Sequence, residues 1–251
     1  MLTDEQLLRF SRQILLPDWD LEAQERLARA RVLMIGMGGL GCPATMSLAR
    51  AGLGHLRIVD FDTVDESNLQ RQMLFQTADV GQPKVTAAAR ALRDINPWMS
   101  IDAHQTRVTA ENLPYFVKGM DLVLDGSDNF ATRDAVNQAC VQARIPLLSA
   151  AAIGVEGQMT LILPDRACYR CLFQDALDGD ERRCAETGVL ATTTAVMGAM
   201  QAHAALLYLG KGLTPLSERL LLWDGPTLNQ RQIRYTRDPA CPVCGKPHQT
   251  A

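Results

Sequence analysis

The sequence predicts an α/β protein built on a doubly wound, mainly parallel sheet that antiparallel strands extend. Three observations predict it. A short β-branched apolar run at 32–35 leads straight into Gly36-x-Gly38-x-x-Gly41 and then into helix-like residues 42–51. Strand-like and helix-like segments go on alternating up to about residue 150, the pattern of parallel strands joined by crossover helices. Beyond 151 the texture changes, and 155–163 and 219–223 read as antiparallel strands, with 231–235 a candidate third.

The chain begins with a capping-box spacing, Thr3 followed three residues later by Gln6, which predicts a helix. Arg9 and Arg12 fall on roughly one face of it, the arrangement of a solvated arm. Residues 17–20 break the pattern, and 21–30 form a second helix that leads into the first strand. In the glycine turn that follows, the first glycine permits a tight bend and the second lets phosphate approach the backbone. The third lets helix pack closely on strand, and the helix N-terminus faces the anion. A second strand, 55–59, ends in Asp60, about 20 residues after the glycines, where a ribose-binding carboxylate belongs. The pattern is therefore Rossmann-like and points to a nucleotide.

The polar loop 60–72 sits beyond a strand's carboxyl end, where open α/β sheets place ligand contacts. Pro83-Lys84 opens a helix, 85–95, closed by Asn96-Pro97. Lys84 lies in its first turn, which the helix dipole disfavours for a cation, so it is either solvated or held by an anion. Residues 100–106 read as a strand, 111–118 as a short helix and 121–125 as a buried strand. Asp128, just beyond that strand, is a substrate- or metal-facing acid, a cap for the helix 131–143, or both. Residues 146–150 supply a further strand.

With 251 residues and a 47% apolar fraction, the chain fits one large domain. A net charge of -3 argues against nucleic-acid binding. The N-terminus lacks the basic and apolar regions of a signal peptide. The apolar segment 191–209 approaches membrane-spanning length, but Thr192, Thr193, Thr194, Gln201 and His203 make it a buried helix, stopped by Gly210. The expectation is a cytoplasmic protein with no membrane partner. Seven cysteines, an odd number, argue against a secreted disulfide framework.

Cys168-x-x-Cys171 and Cys241-x-x-Cys244 instead have the spacing of a four-cysteine zinc site, which has no open position and is structural. A redox C-x-x-C competes, but such a motif opens a helix after a strand, and neither pair is expected to. Cys42 and Cys140 read as core residues. Cys184, in the charged loop 175–186 with Arg182 and Arg183, is the candidate reactive thiol.

These stretches, in order and spacing, resemble the MoeB/ThiF adenylyltransferases, relatives of the ubiquitin-activating enzymes. The similarity rests on Phe10-Ser-Arg-Gln-Ile14, the glycine turn, Asp60-Phe-Asp-Thr, Ser67-Asn-Leu-Gln-Arg-Gln72, Gly81-Gln-Pro-Lys84, Asp125-Gly-Ser-Asp-Asn129, Glu156-Gly-Gln158 and the cysteine pairs. It implies a single adenylation domain over 1–251: a helical arm (1–30), a nucleotide-binding half (31–150) and a carrier-binding and zinc half (151–251). It implies ATP and Mg²⁺, and as substrate the C-terminal Gly-Gly of a small ubiquitin-like sulfur carrier, in molybdopterin or thiamine-thiazole biosynthesis. Gly38, Gly39, Gly41, Asp60, Asp62, Asn68, Arg71, Gln72, Lys84 and Asp128 would hold the nucleotide, with Asp128 on Mg²⁺. Arg12 would reach the ATP of a neighbouring subunit, implying a homodimer. Cys184 aligns with a cysteine implicated in sulfur transfer, and sulfur would come from a separate donor. Relatives often have cysteine at Gly126 and glycine at Ala150, so altered packing near the site is expected. Two alternatives stay open: an NAD(P)-dependent oxidoreductase, supported by the glycine turn and Asp60, and a non-catalytic partner subunit, which would be expected to lack Arg71, Lys84 or Asp128.

Overall fold

The computed structural model describes residues 1–174 and 188–245. Helix α1 (Asp4–Ile14) starts at the expected box: Thr3 Oγ1 accepts from the Gln6 N–H and the Gln6 side chain from the Thr3 N–H. Asp20 caps α2 (Leu21–Arg29) by accepting the Ala23 N–H at 2.8 Å. The arm is not simply solvated. Arg9 donates to the Ile95 carbonyl at 3.0 Å and lies 4.8 Å over the Trp98 ring, while Phe10 is buried.

The alternating half comprises β1 (Arg31–Ile35), α3 (Gly41–Ala51), β2 (His55–Asp60), α4 (Lys84–Ile95), β3 (Ser100–Gln105), α5 (Leu113–Val117), β4 (Leu122–Asp125), α6 (Phe130–Ala143) and β5 (Leu147–Ile153). Then follow β6 (Glu156–Ile162), a single helical turn α7 (Tyr169–Leu172), α8 (Ala191–Lys211), β7 (Arg219–Asp224) and β8 (Asn229–Arg234). All the strands join one eight-stranded sheet in the order β3-β2-β1-β4-β5-β6-β7-β8. The strands from β3 to β5 run parallel and β6 to β8 antiparallel, as the two textures of the sequence predict.

The sheet is apolar on both faces because helices cover both. Along β1, Val32 and Met34 enter the core under α2, α3, α4 and α8, while Leu33 and Ile35 enter the opposite core with α5, α6 and the zinc-type cysteines. This is strand alternation applied to a doubly covered sheet. Helix α8 approaches closely because its residues are small. A Cβ on Gly198 would lie 2.5 Å from Pro43 Cγ, so a larger side chain would push α8 off α3. Its fully buried Gln201 donates to the Asp125 and Leu148 carbonyls at 3.0 and 2.9 Å, pinning the helix to the adjacent strands β4 and β5. Among the described residues no helix is long and apolar enough to cross a membrane.

The end of α8 corrects one expectation. The helix continues past Gly210 to Lys211, and Gly212, at φ +69°, is its left-handed cap. Gly210 serves packing instead: a Cβ there would lie 2.4 Å from the Trp19 ring. Gly210→Ala is therefore expected to lose about 1–3 kcal/mol through overpacking. Gly212→Asn should stay within about 1 kcal/mol, since Asn tolerates the left-handed region. Urea denaturation of the two variants checks which glycine ends the helix and which seats the arm.

Candidate active site and metal centre

Strand order reverses between β1 and β4, and open α/β sheets bind ligands beyond the carboxyl ends at such a point. Ile35 pairs with Val59 on one side and Asp125 on the other, so the loops that follow these three strands open at one level. They surround an open cleft of about 890 Å³. Gly36 turns the chain at φ +86°, its N–H donating to the Val59 carbonyl at 2.9 Å. Gly41 lies beneath the turn and does not line the cleft, because a Cβ there would fall 2.0 Å from the Gly36 carbonyl oxygen. Gly38 and Gly39 do line it. Nothing is closer to a Cβ on Gly38 than Gln72 Nε2 at 3.9 Å, which leaves backbone open to a ligand.

Asp60 is buried, and its two oxygens accept the Met37 N–H at 2.6 Å and the Asp62 N–H at 2.8 Å. Burial pushes its carboxyl above the usual range, while those two donors and Lys84 pull the other way. It thus braces the glycine turn against the next loop and keeps lone pairs for a ligand hydroxyl. Lys84 is buried and paired to Asp62 Oδ2 at 2.9 Å, which resolves the unfavourable cation at the start of α4. Asn68, Arg71 and Gln72 line the same wall, with Arg71 Nη1 donating to the Ser67 carbonyl at 3.0 Å.

Asp128 is exposed at the cleft, accepting from Asn129 Nδ2 at 3.2 Å. The helix-cap role falls to its neighbour: Asn129 Oδ1 accepts the Thr132 N–H at 2.9 Å. Asp128 is therefore free of capping, and its remaining oxygen capacity suits a hard cation such as Mg²⁺. Arg12, exposed on α1, does not line the cleft. Two cations that do line it escaped the sequence reading. Arg133 is buried and donates to the Ser127 carbonyl at 2.6 Å, and Arg107 stacks 3.7 Å over the Phe61 ring. Arg133 carried a signal, since it stands four residues after the Asn129 cap on one helix face. Arg107 carried none.

At Gly126 a Cβ would lie 2.7 Å from Met34 Cε and 3.2 Å from Leu40 Cβ. Met34 occupies the room that a side chain at this position would take.

The four paired cysteines converge, with all Sγ atoms within 4.8 Å of one another. The Cys168–Cys241 and Cys171–Cys244 sulfur separations are 3.7 and 3.4 Å. Four thiolates at the ordinary Zn–S distance of ~2.3 Å form a tetrahedron with edges of about 3.8 Å, so the set fits zinc. Asp238 N–H donates to Cys171 Sγ at 3.4 Å. One expectation is corrected here as well: Cys168 does open a helix, as the N-cap of the single turn α7. The convergence of both pairs, rather than the lack of a helix, is what argues for metal over redox chemistry. Cys42 and Cys140 are core residues, with burial pushing the Cys42 thiol up to about 12 and raising Cys140 also. Cys184 and the loop 175–186 lie outside the described residues.

The Lys84–Asp62 pair generates a stability test. Asp62→Ala leaves a nearly buried ammonium without its partner, and because Asp62 is half exposed the loss should be about 1–2 kcal/mol, below that of a fully buried pair. Adding Lys84→Met should restore most of it, as a double-mutant cycle in urea would measure.

Residues 10–243 match the ThiF family. The molybdopterin-synthase adenylyltransferase of Salmonella typhimurium is 44% identical over 98% of this chain and 99% of its own length. The sulfur carrier protein ThiS adenylyltransferase of Escherichia coli is 43% identical over 97% of each. In three dimensions, E. coli MccB crystallised with ATP superposes with a TM-score of 0.80 at 26% identity, over 90% of this chain and 69% of that one. The similarity covers nearly the whole of this chain in both sequence and fold, and the chain belongs to the ThiF family.

Proposed function

We propose that this protein adenylates the C-terminal glycine carboxylate of a small ubiquitin-like sulfur carrier, consuming ATP and releasing pyrophosphate. The carrier would be of the kind that serves molybdopterin or thiamine-thiazole biosynthesis. One observation carries the reading: a single cleft brings together an open glycine turn, a buried acid and the cations Arg71 and Lys84. The names of relatives sharing 43–44% of the sequence support it.

The chemistry suits these residues. A C-terminal carboxylate, with a pKa of about 3.3–3.7, is ionised near neutrality and needs no general base. Its oxygen lone pair forms the new bond to the α-phosphorus, and the bond to the bridging oxygen breaks as pyrophosphate leaves. Like charge opposes the approach, so positioning and positive charge supply most of the acceleration. Asp60 would take a ribose hydroxyl on its remaining lone pairs, beside the open backbone of Gly38 and Gly39. Asn68, Arg71, Gln72 and Lys84 would hold the phosphates, with Asp62 orienting Lys84. Asp128 would hold Mg²⁺, which supplies further charge neutralisation when bound. A hydride-transfer enzyme has little use for such cations, because a bound pyrophosphate is largely satisfied by a helix N-terminus. A non-catalytic partner subunit is likewise disfavoured, since Arg71, Lys84 and Asp128 all line the cleft.

Arg12 would act across a homodimer. It sits on α1, where Leu8 is 78% exposed and Leu15, the C-cap, 73%, apolar surface that a second copy could cover. Cys184 would serve sulfur transfer, with the sulfur brought by a separate donor, and the setting would be cytoplasmic.

ATP–pyrophosphate exchange with a molybdopterin-pathway and a thiazole-pathway carrier tests the assignment. Exchange dependent on one of them is expected, and its absence with both would overturn the pathway assignment. Lys84→Ala and Asp128→Ala should each lower exchange about 10²–10³-fold with zinc content unchanged. A wild-type rate in either variant would remove that residue from the mechanism.

A further inference from the structure

Helix α6 carries a polar stripe at i, i+4 and i+8: Asn129, Arg133 and Asn137. The first two serve the cleft. Asn137 is fully buried away from it, and its Oδ1 accepts the Tyr169 N–H at 3.0 Å, on the residue next to Cys168. A backbone N–H only donates, so this bond fixes the orientation of the amide and aims Nδ2 elsewhere. Among the described residues Nδ2 has no partner of ordinary hydrogen-bond geometry. A buried amide donor left unpaired is costly, so its retention calls for an acceptor. The Cys168 thiol is that neighbour: Cys168 immediately precedes the residue whose N–H Oδ1 holds, and it is fully buried in the same core layer as α6. A thiolate accepts far more strongly than a thiol, because the hydrogen bond becomes charge-assisted.

We propose that Asn137 is a positioning residue of the metal centre, its Oδ1 holding the Tyr169 N–H while its Nδ2 donates to the metal-bound Cys168 thiolate. The proposal rests on the four cysteines holding zinc. It makes α6 a rod with one end in the nucleotide cleft and its middle in the outer coordination of the metal. Outer partners of this kind orient ligands and typically change metal affinity about 10- to 100-fold.

Two measurements test it on the full chain. In protein labelled with [¹⁵N]asparagine and loaded with ¹¹³Cd²⁺, one asparagine side-chain amide proton should show scalar coupling to cadmium through the sulfur. No such coupling in the loaded wild-type protein would overturn the proposal. Transfer of zinc to a chromophoric chelator should be at least tenfold faster from Asn137→Leu than from wild type, and release within twofold of wild type would equally overturn it. A wild-type protein without stoichiometric zinc would overturn the four-cysteine assignment and this proposal together, whereas zinc-loaded wild type with an unaffected variant would remove Asn137 alone.

Discussion

The arrangement depends on the register of one strand. β1 pairs with β2 and β4 so that Ile35 stands level with Val59 and Asp125. Three chain reversals follow at the same height, and each contributes one wall of the cleft: the glycine turn, the acidic loop and the Asp128 loop. A slip of one residue would send the alternating apolar side chains of β1 to the wrong faces and separate the walls. The register is held above by the Gly36 and Gly126 N–H bonds to neighbouring strands and below by the two apolar layers. Precision in the cleft is thus inherited from the sheet.

The electrostatics follow from that geometry. Asp60 and Lys84 are each mostly withdrawn from water, and neither is left without partners: the acid takes two backbone N–H groups, the ammonium an aspartate. Charges held this way are costly to place and stiff once placed. That suits the proposed adenylation, in which two anions must approach each other without reorganisation of the site. Arg133 and Arg107 add positive charge at the cleft, one tied to a carbonyl and the other stacked on an aromatic ring.

Much of this was legible in the sequence because its signals are local. The glycine turn, the Thr3 capping box and each cysteine pair encode their geometry within a few residues, and Asp60 stands at a fixed offset of about 20 residues from the turn. What depends on packing partners far away in the chain was not. Gly210 and Gly212 look alike as helix terminators, and only Trp19, nearly two hundred residues earlier in sequence, separates a packing glycine from a capping one. The sequence offers Asp128 as the cap of α6, and the backbone gives that role to Asn129. Arg107 lines the cleft because Phe61, on a different loop, provides a ring for it to cover.

The cysteine cluster has a bearing on the order in which the protein is made. Its two halves stand 73 residues apart along the chain, so its loop closes only after β7, β8 and the tail have been synthesised. Closing a loop of that length by chance is entropically expensive, while a preformed sheet brings its ends together first. Synthesis runs from the N-terminus, so the parallel strands and the cleft walls are complete in the nascent polypeptide before a fourth sulfur is available. A metal bound there would act late, as a clasp that fastens a finished fold, and an interrupted chain would carry the walls of the cleft without the clasp.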